Sequence, residues 1–431
     1  MTMIVKTLLC CLLFAGHAWA TTLPSFERQR IMQALHENKQ DVIQQLDAKE
    51  KLVLQVALTL QDNTPEKTLA LIRDIKSTPL DPLLAVMAAE AHRRLAIRAV
   101  TEAGQYAQTL QQQRKKLETI DLSRGLAEAD SKLVALAEKL KGSKAVPLAI
   151  LQLGHTVENV FLVDKTRARL FVYRQNSQGK LYRDADEYVV TGTSTGDKQK
   201  KGDKRTPNGV YHFIQQLNDP ALHARYGPVS FPIDYPNALD VMHHKTGSGI
   251  WMHGYQQDLQ RRAPQDTLGC FALPNNKLLA VAKKIRLHHS WVVIGKNIQY
   301  VDDTVRLSLR DNVLQAVTGW AKAWSSRNHA AYIALYDPRF HHERHDFTSW
   351  NRYKKRVNAN KTYIKVSLSD ITLIHDPERW PEGEVVVAEF TQDYKSSNLN
   401  TVGRKRLYWV RADAASPWKI LIEQSIPTYA R

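Results

Sequence analysis

The sequence predicts a multidomain α+β protein with a helical N-terminal region, a β-rich middle domain and a C-terminal α+β domain. Three observations predict it. Glycine is nearly absent and apolar residues recur at helical spacing over 24–144; Gly, Pro and Asn punctuate short β-rich runs over 157–297; and helical stretches followed by alternating strands begin near Asp302. A chain of 431 residues has room for two or three such units at roughly 150 residues each.

The first twenty residues stand apart. Lys6 supplies a positive charge, 8–15 form a short apolar core, and Ala18-Trp19-Ala20 fits a small-x-small cleavage site, the pattern of a secretory signal peptide. The run is too short to span a bilayer, and no later stretch approaches the ~18 apolar residues a span needs. Leu9 and Cys10 precede Cys10 and Cys11 where a lipobox wants a small residue, so lipidation is not expected. Localisation is therefore expected to be periplasmic, without stable membrane insertion.

Ordinary composition, 43% hydrophobic and 24% charged, argues against wholesale disorder. The 60 Lys and Arg against 43 Asp and Glu give a formal charge of +17, which calls for an acidic partner. An exported protein rarely meets nucleic acid, which leaves anionic wall polymer. With Cys10 and Cys11 in the signal, the mature chain keeps Cys270 alone, and one thiol cannot form an internal disulfide. It is either a small buried hydrophobe or a reactive group.

The expected domains run 1–20 (signal), 21–150 (helical), 155–297 (β-rich) and 303–431 (α+β). In the helical part, Arg28-Ile31-Met32-Leu35, Val42-Ile43-Leu46 and Leu52-Val53-Val56-Leu60 keep helical spacing, and Pro65, Pro79 and Pro82 sit where helices start or stop. It reads as a brace, or as a docking element for a second copy or for other wall enzymes. In the last part, 305–324 and 330–336 read as helices, and Asp346 offers an N-cap to a third that runs through Arg356. Strands follow at 362–368, 384–393, 405–411 and 418–424.

The chemistry concentrates in Gly249-Ile250-Trp251-Met252-His253-Gly254 and Thr267-Leu268-Gly269-Cys270-Phe271. A thiol becomes a nucleophile when a base converts it to thiolate, and His is the usual base near neutral pH. Gly269 allows a strained backbone whose N–H groups, with that of Cys270, could face an oxyanion. His243-His244, His288-His289 and the His341–His345 run lack metal-site spacing, and no phosphate-cradling glycine loop is found, so no cofactor or metal is expected.

His253-Gly254 followed by Thr267-Leu268-Gly269-Cys270 resembles the signature of the L,D-transpeptidase (YkuD-type) catalytic domain. The segment Gly202-Asp203-Lys204-Arg205-Thr206-Pro207-Asn208-Gly209-Val210-Tyr211 resembles a second motif of that family, in the right order upstream. The resemblance implies a β-rich catalytic domain with Cys270 as nucleophile, His253 as base and the Gly254 carbonyl as orienter, acting on peptidoglycan stem peptides. Attack at the third residue would release the terminal D-alanine. Water resolving the thioester makes an L,D-carboxypeptidase, and an amine makes a transpeptidase.

Two positions depart from the pattern. Leu268 stands where the family has His, which puts more weight on His253, and Ala272 stands where Arg or Asn is frequent. Substrate anchoring then passes to Arg261 and Arg262, with Thr267 beside the nucleophile. The domain order is similar to that of the cell-shape L,D-carboxypeptidases, whose last domain resembles nuclear transport factor 2 (NTF2). Trp320-Ala321-Lys322-Ala323-Trp324 and Trp350-Asn351-Arg352-Tyr353-Lys354 carry that likeness. This layout favours hydrolysis. The rival reading from another class is a wall-binding scaffold whose catalytic domain is vestigial.

Overall fold

A computed structural model describes parts of 52–102 together with 145–218, 223–256, 262–296, 298–342 and 344–428. The expected signal peptide and most of the expected helical region lie outside the described residues. The chain divides into two compact units, 1–143 with 259–264, and 144–258 with 265–431.

In the first unit two helices are described, Pro65–Arg73 and Pro82–Glu102. Each opens on proline, whose fixed φ and missing N–H suit the first helical turn. Glu90 accepts from Arg93 and Arg94 one turn on, a local pairing on the second helix.

In the second unit the chain is already strand before residue 150. Val146–Pro147 pairs with Tyr300–Val301, and Ile150–Gln152 joins the edge of the C-terminal sheet beside Ile364–Trp380. The helical texture of 21–150 thus ends in two strands.

The middle domain centres on a five-stranded sheet in the order Leu181–Tyr188, Arg169–Gln175, Val160–Asp164, Trp291–Gly295, Gly209–His212. Only the Val160–Asp164 and Trp291–Gly295 pair is parallel. The run Val-Phe-Leu-Val-Asp is buried on both faces, as near-continuous apolar strands require. Val160 and Leu162 face a core shared with the C-terminal sheet, and Phe161 and Val163 face the interior of the middle domain. A three-stranded sheet of Phe271–Ala272, Trp251–His253 and Ser230–Pro232 contributes to that interior core through Phe231, Met252 and Phe271.

The C-terminal part is a seven-stranded sheet with the Asp303–Ser325, His329–Ile333 and Phe347–Ala359 helices. Asp346 caps the last helix in a reciprocal box with Ser349. Alternation along Gly383–Ser396 sends Val386, Ala388 and Phe390 into the helix-side core with Trp320 and Trp324. Val385 and Val387 go into the core shared with the middle domain. The sheet is thus covered on both faces, by its own helices and by the middle domain. A buried ion cluster joins the same two parts. Glu389 accepts from Arg404 at 2.7 Å and Arg406 at 3.0 Å, and Arg406 reaches Asp234 at 3.3 Å. The arginines hold the Glu389 carboxyl well below the usual carboxylate range despite its burial.

Residues 330–336 do not form one helix: the helix is His329–Ile333, and Tyr336 begins a strand, Tyr336–His342. The strand expected at 362–368 continues to Trp380. Its pattern is broken in sequence because Asp370 takes a positive φ of 53° where the register slips.

Candidate active site

Cys270 and His253 meet through a strand pair. Phe271–Ala272 runs parallel to Trp251–His253, with Phe271 opposite Met252 and Ala272 opposite His253. Cys270 immediately precedes the paired segment, and by the two-residue alternation it falls on the face of Trp251 and His253. Its thiol is partly exposed and donates to the Gly249 carbonyl at 3.5 Å.

The imidazole of His253 is buried, 5% exposed, and Nδ1 lies 2.7 Å from the Gly254 carbonyl oxygen. A carbonyl only accepts, so Nδ1 carries a proton, and in the neutral tautomer Nε2 is the acceptor nitrogen. The ring of Tyr226 stands edge-to-face on the imidazole at 5.1 Å and 85°. Gly254 is held in turn: its N–H donates to the Tyr226 carbonyl at 2.8 Å, and a Cβ there would collide with Asn275 Oδ1. That oxygen accepts the Tyr255 N–H at 2.7 Å. Glycine is therefore required at 254 for close approach.

The backbone of the nucleophile candidate is clamped from two sides. The Cys270 carbonyl accepts from Thr267 Oγ1 at 2.6 Å and from Thr206 Oγ1 at 3.1 Å. Thr206 Oγ1 also accepts the Gly192 N–H at 2.8 Å. Gly269 adopts φ +126°, a conformation L residues rarely take, and a Cβ there would stand 3.0 Å from the Arg205 carbonyl. Behind Thr206, Lys165 Nζ donates to the carbonyls of Gly196 and Thr206 and to Asn208 Oδ1, at 2.6, 2.5 and 2.8 Å. Burial pushes the Lys165 amine down to about 8.

The Thr267 hydroxyl, expected at the substrate, donates to the Cys270 carbonyl and accepts the Gly269 N–H at 3.2 Å. The Gly269 N–H, expected to face an oxyanion with that of Cys270, points to the Thr267 hydroxyl in this structure. Arg261 lies outside the described residues, and Arg262 belongs to the 259–264 segment grouped with the first unit. Leu268 is 72% exposed, and Ala272 is fully buried. Sequence reasoning missed Tyr226, Thr206 and Asn275. Thr206 sits inside the recognised upstream motif and could have been found there, whereas nothing local marks the other two.

A β-rich domain in which Cys270 directly precedes the strand paired with that of His253, backed by an α+β domain, defines the class. The L,D-transpeptidase catalytic domain (YkuD) matches residues 158–294, and the Cds6 C-terminal NTF2-like domain matches residues 312–424. Among solved structures, the chain is similar to the helical cell shape determining protein Pgp2 from Campylobacter jejuni. Identity is 31% and the TM-score 0.53, over 64% of this chain and 94% of that one; a point mutant of Pgp2 gives 31% and 0.54, over 64% and 93%. Bd1075 of Bdellovibrio bacteriovorus is similar at 25% identity and TM-score 0.58, over 67% of this chain and all of that one. No curated protein sequence matches. The chain belongs to the L,D-transpeptidase (YkuD-type) family of peptidoglycan-modifying enzymes, in the form that carries a C-terminal NTF2-like domain. Among the described residues no helix is long and apolar enough to cross a membrane.

Proposed function

We propose that the chain is an exported L,D-carboxypeptidase that trims peptidoglycan stem tetrapeptides. His253 Nε2 takes the Cys270 proton, and the thiolate attacks the carbonyl carbon of the third residue. The oxyanion forms against the Cys270 N–H. Collapse breaks the bond to the terminal D-alanine, whose amine leaves with the proton that His253 carried. Water, deprotonated by His253, then hydrolyses the thioester and restores the thiol. The observation that carries this reading is the 2.7 Å contact of His253 Nδ1 with the Gly254 carbonyl, which supports a fixed tautomer with Nε2 as base.

The matched family model is described as an L,D-transpeptidase domain, and this favours a second reading in which an amine resolves the thioester. A role in cell shape is proposed by likeness to Pgp2. Periplasmic action follows from the substrate and from the export signal expected at 1–20.

The test is a mass-spectrometric product assay on purified disaccharide-tetrapeptide with wild type and Cys270→Ala. Tripeptide and free D-alanine from wild type alone support the carboxypeptidase. Cross-linked dimers, or exchange of D-alanine for an added D-amino acid, support the transpeptidase. No Cys270-dependent product would leave the wall-binding scaffold.

A further inference from the structure

Beside the imidazole stands a cation that the mechanism leaves unused. The segment Ala224–Tyr226 forms a 3-10 turn, with His223 Nδ1 accepting the Arg225 N–H at 3.2 Å. Arg225 lays its guanidinium over the Tyr226 ring, 4.7 Å from the centroid, and donates Nη2–H to the Tyr226 hydroxyl at 2.8 Å. The same ring meets His253 at 5.1 Å and Trp251 at 5.0 Å. The Tyr226 carbonyl holds Gly254, the residue that orients His253. Arg225, Tyr226 and His253 thus form one line of contacts, with the guanidinium over the Tyr226 ring and that ring edge-to-face with the imidazole.

Arg225 is exposed and, among the described residues, forms no ion pair. Among the described residues its one side-chain hydrogen bond is to the Tyr226 hydroxyl. A guanidinium so held is pre-organised, and its other N–H groups suit a planar anion. Chemistry supplies one at this distance. In an L,D-tetrapeptide the leaving residue carries its carboxylate two bonds from the scissile nitrogen, and His253 must reach that nitrogen to protonate it. An anion anchored one ring away would lie beside the departing amine.

We infer that Arg225, braced on Tyr226, anchors the free C-terminal carboxylate of the leaving residue and so confines the site to stem peptides that end there. The inference rests on the reading that Cys270 and His253 act on such peptides. It also supplies a cation on the leaving-residue side, in a chain that has Ala272 two residues after the nucleophile. A stem whose fourth residue is amide-linked in a cross-link lacks the charge that Arg225 recognises and would be a poor substrate.

The experiment separates binding from turnover. Calorimetry on Cys270→Ala compares disaccharide-tetrapeptide as the free acid with its C-terminal carboxamide, and repeats both on the Cys270→Ala, Arg225→Gln double variant. The inference predicts tighter binding of the acid, a loss of about tenfold or more for the acid on Arg225→Gln, and little change for the amide, as removal of a charge-assisted pair requires. Arg225→Lys keeps the charge without the fork and should fall between. Equal binding of acid and amide by the Arg225 parent, or an acid preference that survives Arg225→Gln, would overturn the anchor. Either result leaves the Cys270 reading standing if wild type releases D-alanine. Conversely, absence of turnover alongside an Arg225-dependent acid preference would overturn the catalytic reading alone.

Discussion

The imidazole of His253 and the carbonyl of its own neighbour, Gly254, stand 2.7 Å apart, so a backbone carbonyl fixes one face of the ring's hydrogen bonding. A neutral acceptor fixes the tautomer without adding a negative charge beside the ring. Its position depends on the Tyr226 carbonyl and on the space left by a missing Cβ.

Gly254→Ala is the sharpest local perturbation. The new methyl meets Asn275 Oδ1 and stands 3.1 Å from Gly227 Cα, so backbone must move. Overpacking of this kind costs about 1–3 kcal/mol. Chemical denaturation should show that loss, and kcat should fall further than stability explains because the acceptor moves with the chain.

His253→Gln removes the proposed base. Turnover should fall by about a thousandfold or more, by analogy with single losses from catalytic sets. Alkylation of Cys270 by iodoacetamide at neutral pH should slow in parallel. An unchanged alkylation rate would mean the imidazole does not activate the thiol.

Thr206→Val removes one of two hydroxyls on the Cys270 carbonyl while Thr267 keeps the other. It also removes the acceptor of the buried Gly192 N–H. The cost should be about 1–3 kcal/mol in stability, with lower kcat and little change in KM. Steady-state kinetics beside a thermal melt separates the two effects.

A buried carboxyl sets a pH signature of stability. Burial raises Asp376 from the ordinary 3.8 to about 7, with Asp240 adding to the rise. The folded state therefore binds a proton that the unfolded chain has released. The stabilisation is complete below about 3.8 and is lost as pH rises through about 7. Asp376→Asn keeps an oxygen for the Glu378 N–H and removes the titration. Relative to wild type, it should gain roughly 2 kcal/mol of stability between pH 5 and pH 8. A constant difference across that range would contradict the assignment.

Much of the candidate site was legible because it is local. Cys270 is the lone cysteine beyond the first twenty residues, and two glycines and a histidine lie in short motifs whose spacing survives without a structure. The helices 305–324 and 346–356 were legible from apolar period and from the Asp346 cap. What escaped is long-range. Ile150–Gln152 is three residues whose partner strand lies more than 200 positions on, and so short a run carries no period. Tyr226 reaches His253 from a 3-10 turn earlier in the chain, and Thr206 reaches Cys270 across 64 positions. The Thr267 hydroxyl, expected at the substrate, faces inward because a tight turn at Gly269 brings two backbone groups to it.

The most direct test of the central claim is intact-protein and peptide mass spectrometry after rapid quenching of enzyme with disaccharide-tetrapeptide. The account predicts a disaccharide-tripeptide acyl group on Cys270 in wild type, formed as D-alanine is released and absent from Cys270→Ala. Release of D-alanine by Cys270→Ala at the wild-type rate, with no adduct on Cys270 in wild type, would contradict it.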